Sequence, residues 1–224
     1  MARFDAIWLD AGGVLVLPDP TVLGPLLTYY GGSADVDRHR RAHYAAMAVK
    51  SAQGAEERDW IEYDRAYAAS VGVPEADVPD AAEALGHTRT ALLWRWPIPE
   101  SLAALAALDS AGVPLGVVSN ASGQIEAVLG RSRICQVGTG RGTTVRCIVD
   151  STVVGVAKPD PKIFDHAEVH FPGLTRDRIA YVGDSVTMDI GGATAAGLHP
   201  ILLDPYDDHP DAPFERLKEL GALL

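Results

Sequence analysis

The chain has 224 residues, enough for one medium domain, or a larger one carrying a smaller, at roughly 150 residues each. It is 47% hydrophobic and 22% charged, ordinary globular values that argue against intrinsic disorder. The formal charge of −11 and the lack of a basic stripe argue against nucleic-acid binding, yet leave room for a small anionic substrate if a metal ion or helix N-terminus reverses the field locally.

The opening MARFDAIWLDAGG has no signal-peptide pattern, and no run of 18 apolar residues could span a membrane. A soluble, cytoplasmic protein with no membrane partner is the expectation. Residues 3–9 condense into an apolar run that stops abruptly at Asp10, as a buried strand does, and then enter the loop Asp10-Ala11-Gly12-Gly13. Residues 21–96 change character: rich in Ala, Arg, Tyr and His, with helical apolar spacing over 35–52 and 56–70. They read as a helical insert of some four helices. Within it, Arg38, His39, Arg40, Arg41 and His43 read as a solvated helix face, with presentation of charge to a substrate as the alternative. Lys50, the only lysine of the insert, reads as exposed.

Pro97-Ile98-Pro99 looks like a stiff connector back. A helix over 100–111, a buried strand over 113–118 ending at Ser119-Asn120, and a short helix over 124–129 follow. Strands are expected at 134–137 and 143–149, a helix at 161–170, a strand at 179–182 ending in Gly183-Asp184, and a helix at 188–196. A short strand at 200–203 and a terminal helix at 213–220 complete the series. Cys135 and Cys147, the only cysteines, flank a glycine-rich tip and would face each other if the segment is a hairpin. The plain reading is two reduced, half-buried strand residues. The acidic run Asp204, Asp207, Asp208, Asp211 reads as an exposed loop.

Strands alternating with helices imply an α/β fold: a Rossmann-like, doubly wound, mostly parallel sheet with helices on both faces, carrying the helical insert. Ligands of such sheets collect beyond the carboxyl ends of the strands, where Asp10, Ser119 and Asp184 all fall. A carboxylate in a glycine loop can approach phosphorus while backbone N–H groups cradle the other oxygens. Lys158, held in Ala157-Lys158-Pro159-Asp160-Pro161, could aim its ammonium at nucleophile and phosphate together. Asp184 and Asp189 supply hard oxygens of the kind Mg²⁺ takes.

On four segments the chain resembles the haloacid dehalogenase-like hydrolase superfamily. They are Asp10-Ala11-Gly12-Gly13-Val14-Leu15, Val118-Ser119-Asn120, the stretch from Gly155 through Lys158-Pro159-Asp160-Pro161 to Phe164, and Val182-Gly183-Asp184-Ser185 through Asp189-Ile190. The resemblance covers nearly the whole chain. It implies a core of residues 1–17 and 97–224 and a C1-type helical cap at 18–96. It also implies that Asp10 is a nucleophile forming an aspartyl-phosphate, that Ser119 and Asn120 bind the phosphoryl group, and that Lys158 neutralises charge between them. Mg²⁺ would be held by Asp10, the Gly12 carbonyl, Asp184 and, directly or through water, Asp189. The substrate would be a small phosphorylated molecule.

One position departs from that pattern. Phosphatases of the family carry a second aspartate, acting as acid and base, where this chain has Gly12. Such a proton shuttle contributes about 10²–10⁴-fold in rate, roughly 3–5 kcal/mol of barrier. Its absence leaves open a phosphatase selective for good leaving groups, a carbon–halogen or carbon–phosphorus hydrolase, and a low-turnover phosphoryl-ligand binding or regulatory protein. Dehalogenases also lack the aspartate but are metal-independent, with a different fourth segment. Phosphonate-cleaving relatives keep the metal and use a cap lysine, for which Lys50 is the only lysine in the cap. Oligomeric state is not legible.

Overall fold

The computed structural model describes residues 3–54 and 59–224. Its elements run β1 (Ala6–Leu9), β2 (Val16–Pro18), α1 (Pro20–Tyr29), α2 (Val36–Ala52), α3 (Ile61–Ser70) and α4 (Val78–Thr88). Then follow β3 (Trp94–Pro97), α5 (Pro99–Ser110), β4 (Leu115–Ser119), α6 (Ile125–Arg131), β5 (Cys135–Val137), β6 (Thr143–Val145) and β7 (Ile148–Asp150). The chain ends through α7 (Ser151–Val154), α8 (Asp165–Glu168), β8 (Ile179–Gly183), α9 (Gly191–Ala196), β9 (His199–Leu203) and β10 (Glu215–Leu217). The expected helix over 56–70 begins partly outside the described residues; its described part is α3.

Six strands form one parallel sheet in the order β10-β9-β8-β1-β4-β7. β1 lies inside it and is buried from end to end, which is why it reads as a continuous apolar run. Its side chains alternate between two cores. Ile7 and Leu9 join Leu105, Leu108 and Leu129 beneath α5 and α6, while Ala6 and Trp8 join Phe164, Phe171 and Ala193 on the other face. The chain builds outward from β1 to β4 and β7, then returns to β8 on the other side. That reversal places the switch point of the sheet at β1, and the register carries Asp10, Ser119 and Asp184 to one edge.

Helices α1–α4 pack around a separate apolar cluster of Leu27, Met47, Tyr63, Tyr67 and Leu85. The chain enters and leaves this segment through an antiparallel two-strand ribbon, β2 with β3, in which Val16 faces Pro97 and Pro18 faces Trp94. Among the described residues, no helix is long and apolar enough to cross a membrane.

Three expectations give way. β5 and β6 run parallel, with Gln136 filling the loop between them through bonds to Gly142, so the segment is not a hairpin. Cys135 and Cys147 are free and fully buried on opposite faces of the sheet, and Cys147 lies outside any strand. Burial pushes both thiols up, Cys135 to about 12 and Cys147 to about 11. The last segment adds β10 beside β9 rather than a helix over 213–220. Finally, Asp204 is not exposed: it accepts from the Asp208 and His209 amides and from Arg216, and so organises the acidic loop.

Candidate active site

Asp10 stands one residue beyond β1, where its amide donates to Val182 O at 2.8 Å and holds the carboxylate at the sheet edge. Oδ1 accepts from the Ala11 amide at 2.7 Å and lies 3.0 Å from Lys158 Nζ. That ammonium also reaches Asp189 Oδ1 at 2.6 Å and the Tyr181 hydroxyl at 2.8 Å, which in turn donates to Val118 O at 2.8 Å. The Asn120 side chain clamps the Lys158 backbone, accepting from its N–H at 2.8 Å and donating to its carbonyl at 2.9 Å. Asn120 therefore spends its amide on positioning the lysine, leaving its backbone N–H as the group it could offer a phosphate.

Asp184 follows β8, and Asp189 sits on the wide turn over Val186–Ile190, where the Asp189 and Ile190 amides both donate to Ser185 O. Asp189 Oδ2 accepts from the Ser185 amide at 2.9 Å. One carboxylate oxygen from each of Asp10, Asp184 and Asp189 lies within 4.8 Å of the others. Two glycines make this crowding possible. Gly13 has φ +67°, and a Cβ there would fall 2.0 Å from Asp184 Oδ2; a Cβ on Gly183 would fall 2.1 Å from Asp189 Cγ. Gly12 is different: its φ is not positive, and a Cβ would meet the Trp94 ring at 3.3 Å.

Burial pushes the Asp10 carboxyl up to about 7; Lys158 opposes the rise, the charges of Asp189 and Asp184 add to it, and the Ser119 hydroxyl opposes it. Asp184 is raised too, by burial first, against the hydrogen bond from His43. For Lys158, burial lowers, but Asp10 and Asp189 outweigh it and hold the ammonium above its ordinary value. Three buried carboxylates facing one ammonium leave negative charge that a divalent cation would neutralise, and their hard oxygens suit Mg²⁺.

The site opens into a cavity of about 250 Å³. Asp10, Gly12, Ser119, Asn120, Lys158, Asp184 and Asp189 all contribute to it, so the expected site residues are brought together. The opposite wall is Met47, Lys50, Trp60, Arg89 and Trp94. Lys50 is thus buried in the cavity wall, not exposed on a helix.

Of the basic row on α2, Arg38 is exposed and Arg40 and Arg41 are half-buried in ion pairs, but the two histidines are not on a solvated face. His43 is fully buried: Nε2 is 2.8 Å from Asp184 Oδ2 and Nδ1 is 2.9 Å from the Tyr63 hydroxyl. His39 is buried against the Tyr67 hydroxyl, Arg40 pairs with Glu100 at 3.0 Å, and Arg41 pairs with Asp208 at 2.6 Å. Tyr44 donates to Gly13 O at 2.7 Å. The available signal was the spacing 39, 43, 47 and 50, a single helix face carrying His, His, Met and Lys. Tyr181 and Trp94 were also missed, for neither shows a local pattern.

The haloacid dehalogenase-like hydrolase family matches residues 4–197, most of the chain. The chain belongs to that family. It is 31% identical over 134 residues to a phosphoserine phosphatase of Thermus thermophilus, covering 59% of this chain and 49% of the relative. It is 29% identical over 150 residues to a glyceraldehyde 3-phosphate phosphatase of Methanopyrus kandleri, covering 62% and 61% respectively. The chain spans about half the length of the curated relatives it matches. Among solved structures, the magnesium-bound hydrolase YfnB of Bacillus subtilis superposes with a TM-score of 0.61 at 19% identity, over 99% of this chain and 97% of that one, a likeness of fold. A hydrolase with phosphatase relatives is the coarse assignment these findings support.

Proposed function

We propose that the protein hydrolyses a small phosphorylated molecule with Mg²⁺ present, by way of a phosphoaspartate on Asp10. The observation that carries this reading is the Asp10 carboxylate at a strand end, 3.0 Å from a buried ammonium and beside two further carboxylates on a cavity floor. Asp10, Asp184, Asp189 and the Gly12 carbonyl are the groups that would hold the metal. When bound, Mg²⁺ supplies positive charge that lets a carboxylate meet a phosphate dianion.

In the proposed chemistry an Asp10 carboxylate oxygen attacks phosphorus, and the leaving oxygen departs with the bonding electrons. Water then attacks the phosphoaspartate, releasing phosphate and restoring Asp10. Ser119 and the Asn120 amide are placed to bind phosphoryl oxygens, and Lys158 to offset charge between nucleophile and phosphoryl group. Among the described residues lining the cavity, the only carboxylates are Asp10, Asp184 and Asp189. With Trp94 standing over Gly12, no extra carboxyl protonates the leaving group, so aryl and acyl phosphates are favoured over alkyl esters. Residues 18–96 would act as a cap on a core of residues 1–17 and 97–224.

The test is a screen of phosphate release from aryl, acyl and alkyl phosphates and of halide release from short halogenated acids, with Mg²⁺ and with chelator. Mg²⁺-dependent release from the first two groups is expected; halide release that persists in chelator would replace this reading with dehalogenation. The position of Lys50 in the cavity wall favours a second reading, carbon–phosphorus cleavage through an imine on its amine. Borohydride trapping of phosphonoacetaldehyde on Lys50, read by mass spectrometry, would establish it. Phosphate release without trapping would exclude it.

A further inference from the structure

The cavity has two electrically different ends. Its floor presents Asp10, Asp184 and Asp189, the cluster suited to a metal and a phosphoryl group; its far wall presents two cations around one indole. Lys50 Nζ lies 3.6 Å from the Trp60 ring centroid, and the Arg89 guanidinium carbon lies 4.8 Å from the same ring. Both side chains line the cavity, and Lys50 is buried. Arg89 is held by Asp64, and its following segment is tied to the sheet side by the Gln124 amide, which donates to Ala91 O. A guanidinium has five N–H donors, so the Asp64 bond leaves others for a second acceptor. Trp60 also packs at a 58° tilt against Trp94, the residue that covers Gly12, so the wall is aromatic with two cations set on it.

We propose that Lys50, Trp60 and Arg89 form a subsite for a second anionic group, so that the substrate is a short phosphorylated molecule with a carboxylate or another phosphate at its far end. The phosphoryl placement rests on the hydrolase reading above. The cavity of about 250 Å³ lies below the roughly 300–1,000 Å³ of drug-sized pockets, which suits a chain of a few carbons. Charge-assisted bonds to a guanidinium and an ammonium give such a ligand about tenfold or more in affinity over a neutral one of equal length.

Three non-hydrolysable probes of one chain length separate the possibilities: 3-phosphonopropionate, propane-1,3-diphosphonate and propylphosphonate. Calorimetry on the full chain with Mg²⁺ should show one or both anionic-tail probes binding about tenfold or more tighter than propylphosphonate. Which of the two wins identifies the tail. Lys50→Met and Arg89→Met should each bring that ratio toward one, and Lys50→Arg should keep it. Equal binding of all three probes, or a ratio unchanged in both Met variants, overturns the subsite. Phosphate release from aryl phosphates without any such ratio would leave the hydrolase reading standing alone. A preserved ratio with no release from any ester would retain the subsite and reject hydrolysis.

Discussion

Asp10, Ser119 and Asp184 sit at the last residue of a buried parallel strand or one beyond it, whereas Lys50, Trp60, Arg89 and Trp94 reach the same cavity from helices, connectors and a ribbon. On the floor, backbone fixes position: sheet register sets where each carboxylate emerges, and Gly13 and Gly183 leave no room for a side chain. On the wall, side chains fix position through cation–π contacts, tilted ring packing and ion pairs. Changes to the floor should therefore alter whether chemistry occurs, and changes to the wall should alter what it acts on.

The sharpest break in that contrast comes from the nucleophile. Asp10→Asn should lower phosphate release by on the order of 10⁴-fold or more with a native circular dichroism spectrum, since an amide does not attack phosphorus at a useful rate. Retention of turnover in the purified variant would end the covalent mechanism. Next in size is Lys158→Met. Removing the cation that bonds both Asp10 and Asp189 should cost about 3–5 kcal/mol in urea unfolding without Mg²⁺, with part of the loss recovered on adding it. A loss under about 1 kcal/mol would show that the lysine is not an electrostatic keystone of the folded floor.

Where floor meets wall, Gly12→Asp alone should gain little, because its Cβ would press on Trp94 at 3.3 Å. Combined with Trp94→Leu, it should raise alkyl phosphate turnover by up to about 10²-fold, and aryl phosphate turnover less. An equal gain for both leaving groups would mean that the new carboxyl does not act as the acid. His43 crosses from wall to floor. Its replacement by Phe removes the donor that orients Asp184 and should weaken Mg²⁺ binding by about 10- to 100-fold in calorimetry. Unaltered affinity would confine His43 to joining α2 to the sheet.

The remaining prediction concerns pH dependence. Asp10 titrates near 7 in the folded protein against an ordinary 3.8, so the native state holds more protons than the unfolded one between those values. Its contribution is full below about pH 4 and is lost as pH rises through about 7, so metal-free stability falls across this window. Mg²⁺ favours the ionised carboxylate, so its stabilising effect should grow over the same range. Melting of wild type against Asp10→Asn, with chelator and with Mg²⁺ from pH 5 to 8, isolates the term. Parallel curves would show that Asp10 is not the titrating group.

The floor was legible because a strand buried on both faces is a bare apolar run, and the polar residue that ends it stands out: Leu9 to Asp10, Val182-Gly183 to Asp184. The wall was not. His43 looks like one of several basic residues until Tyr63 and Asp184 are known to bracket it, and those partners are 20 and 141 residues away. β10 failed for a related reason. Glu215 and Arg216 carry no strand signature, and what holds them is His199, Asp204 and Arg3, remote along the chain or across a turn. Local pattern reports burial well and pairing poorly.

The ribbon of β2 and β3 has a topological consequence. Pro18 and Trp94 are register partners, so everything between them hangs from two neighbouring points. The ribbon closes that segment into a loop in the native structure, and loop-closure entropy grows only slowly with length. The length of the segment can therefore vary at little entropic cost, provided α2 keeps His43 on Asp184 and Tyr44 on the Gly13 carbonyl. Trp94, which belongs to the ribbon and covers Gly12, is the member that travels with neither side. An exchange made just inside it would keep Trp94 over Gly12 while replacing the His43 that bonds Asp184.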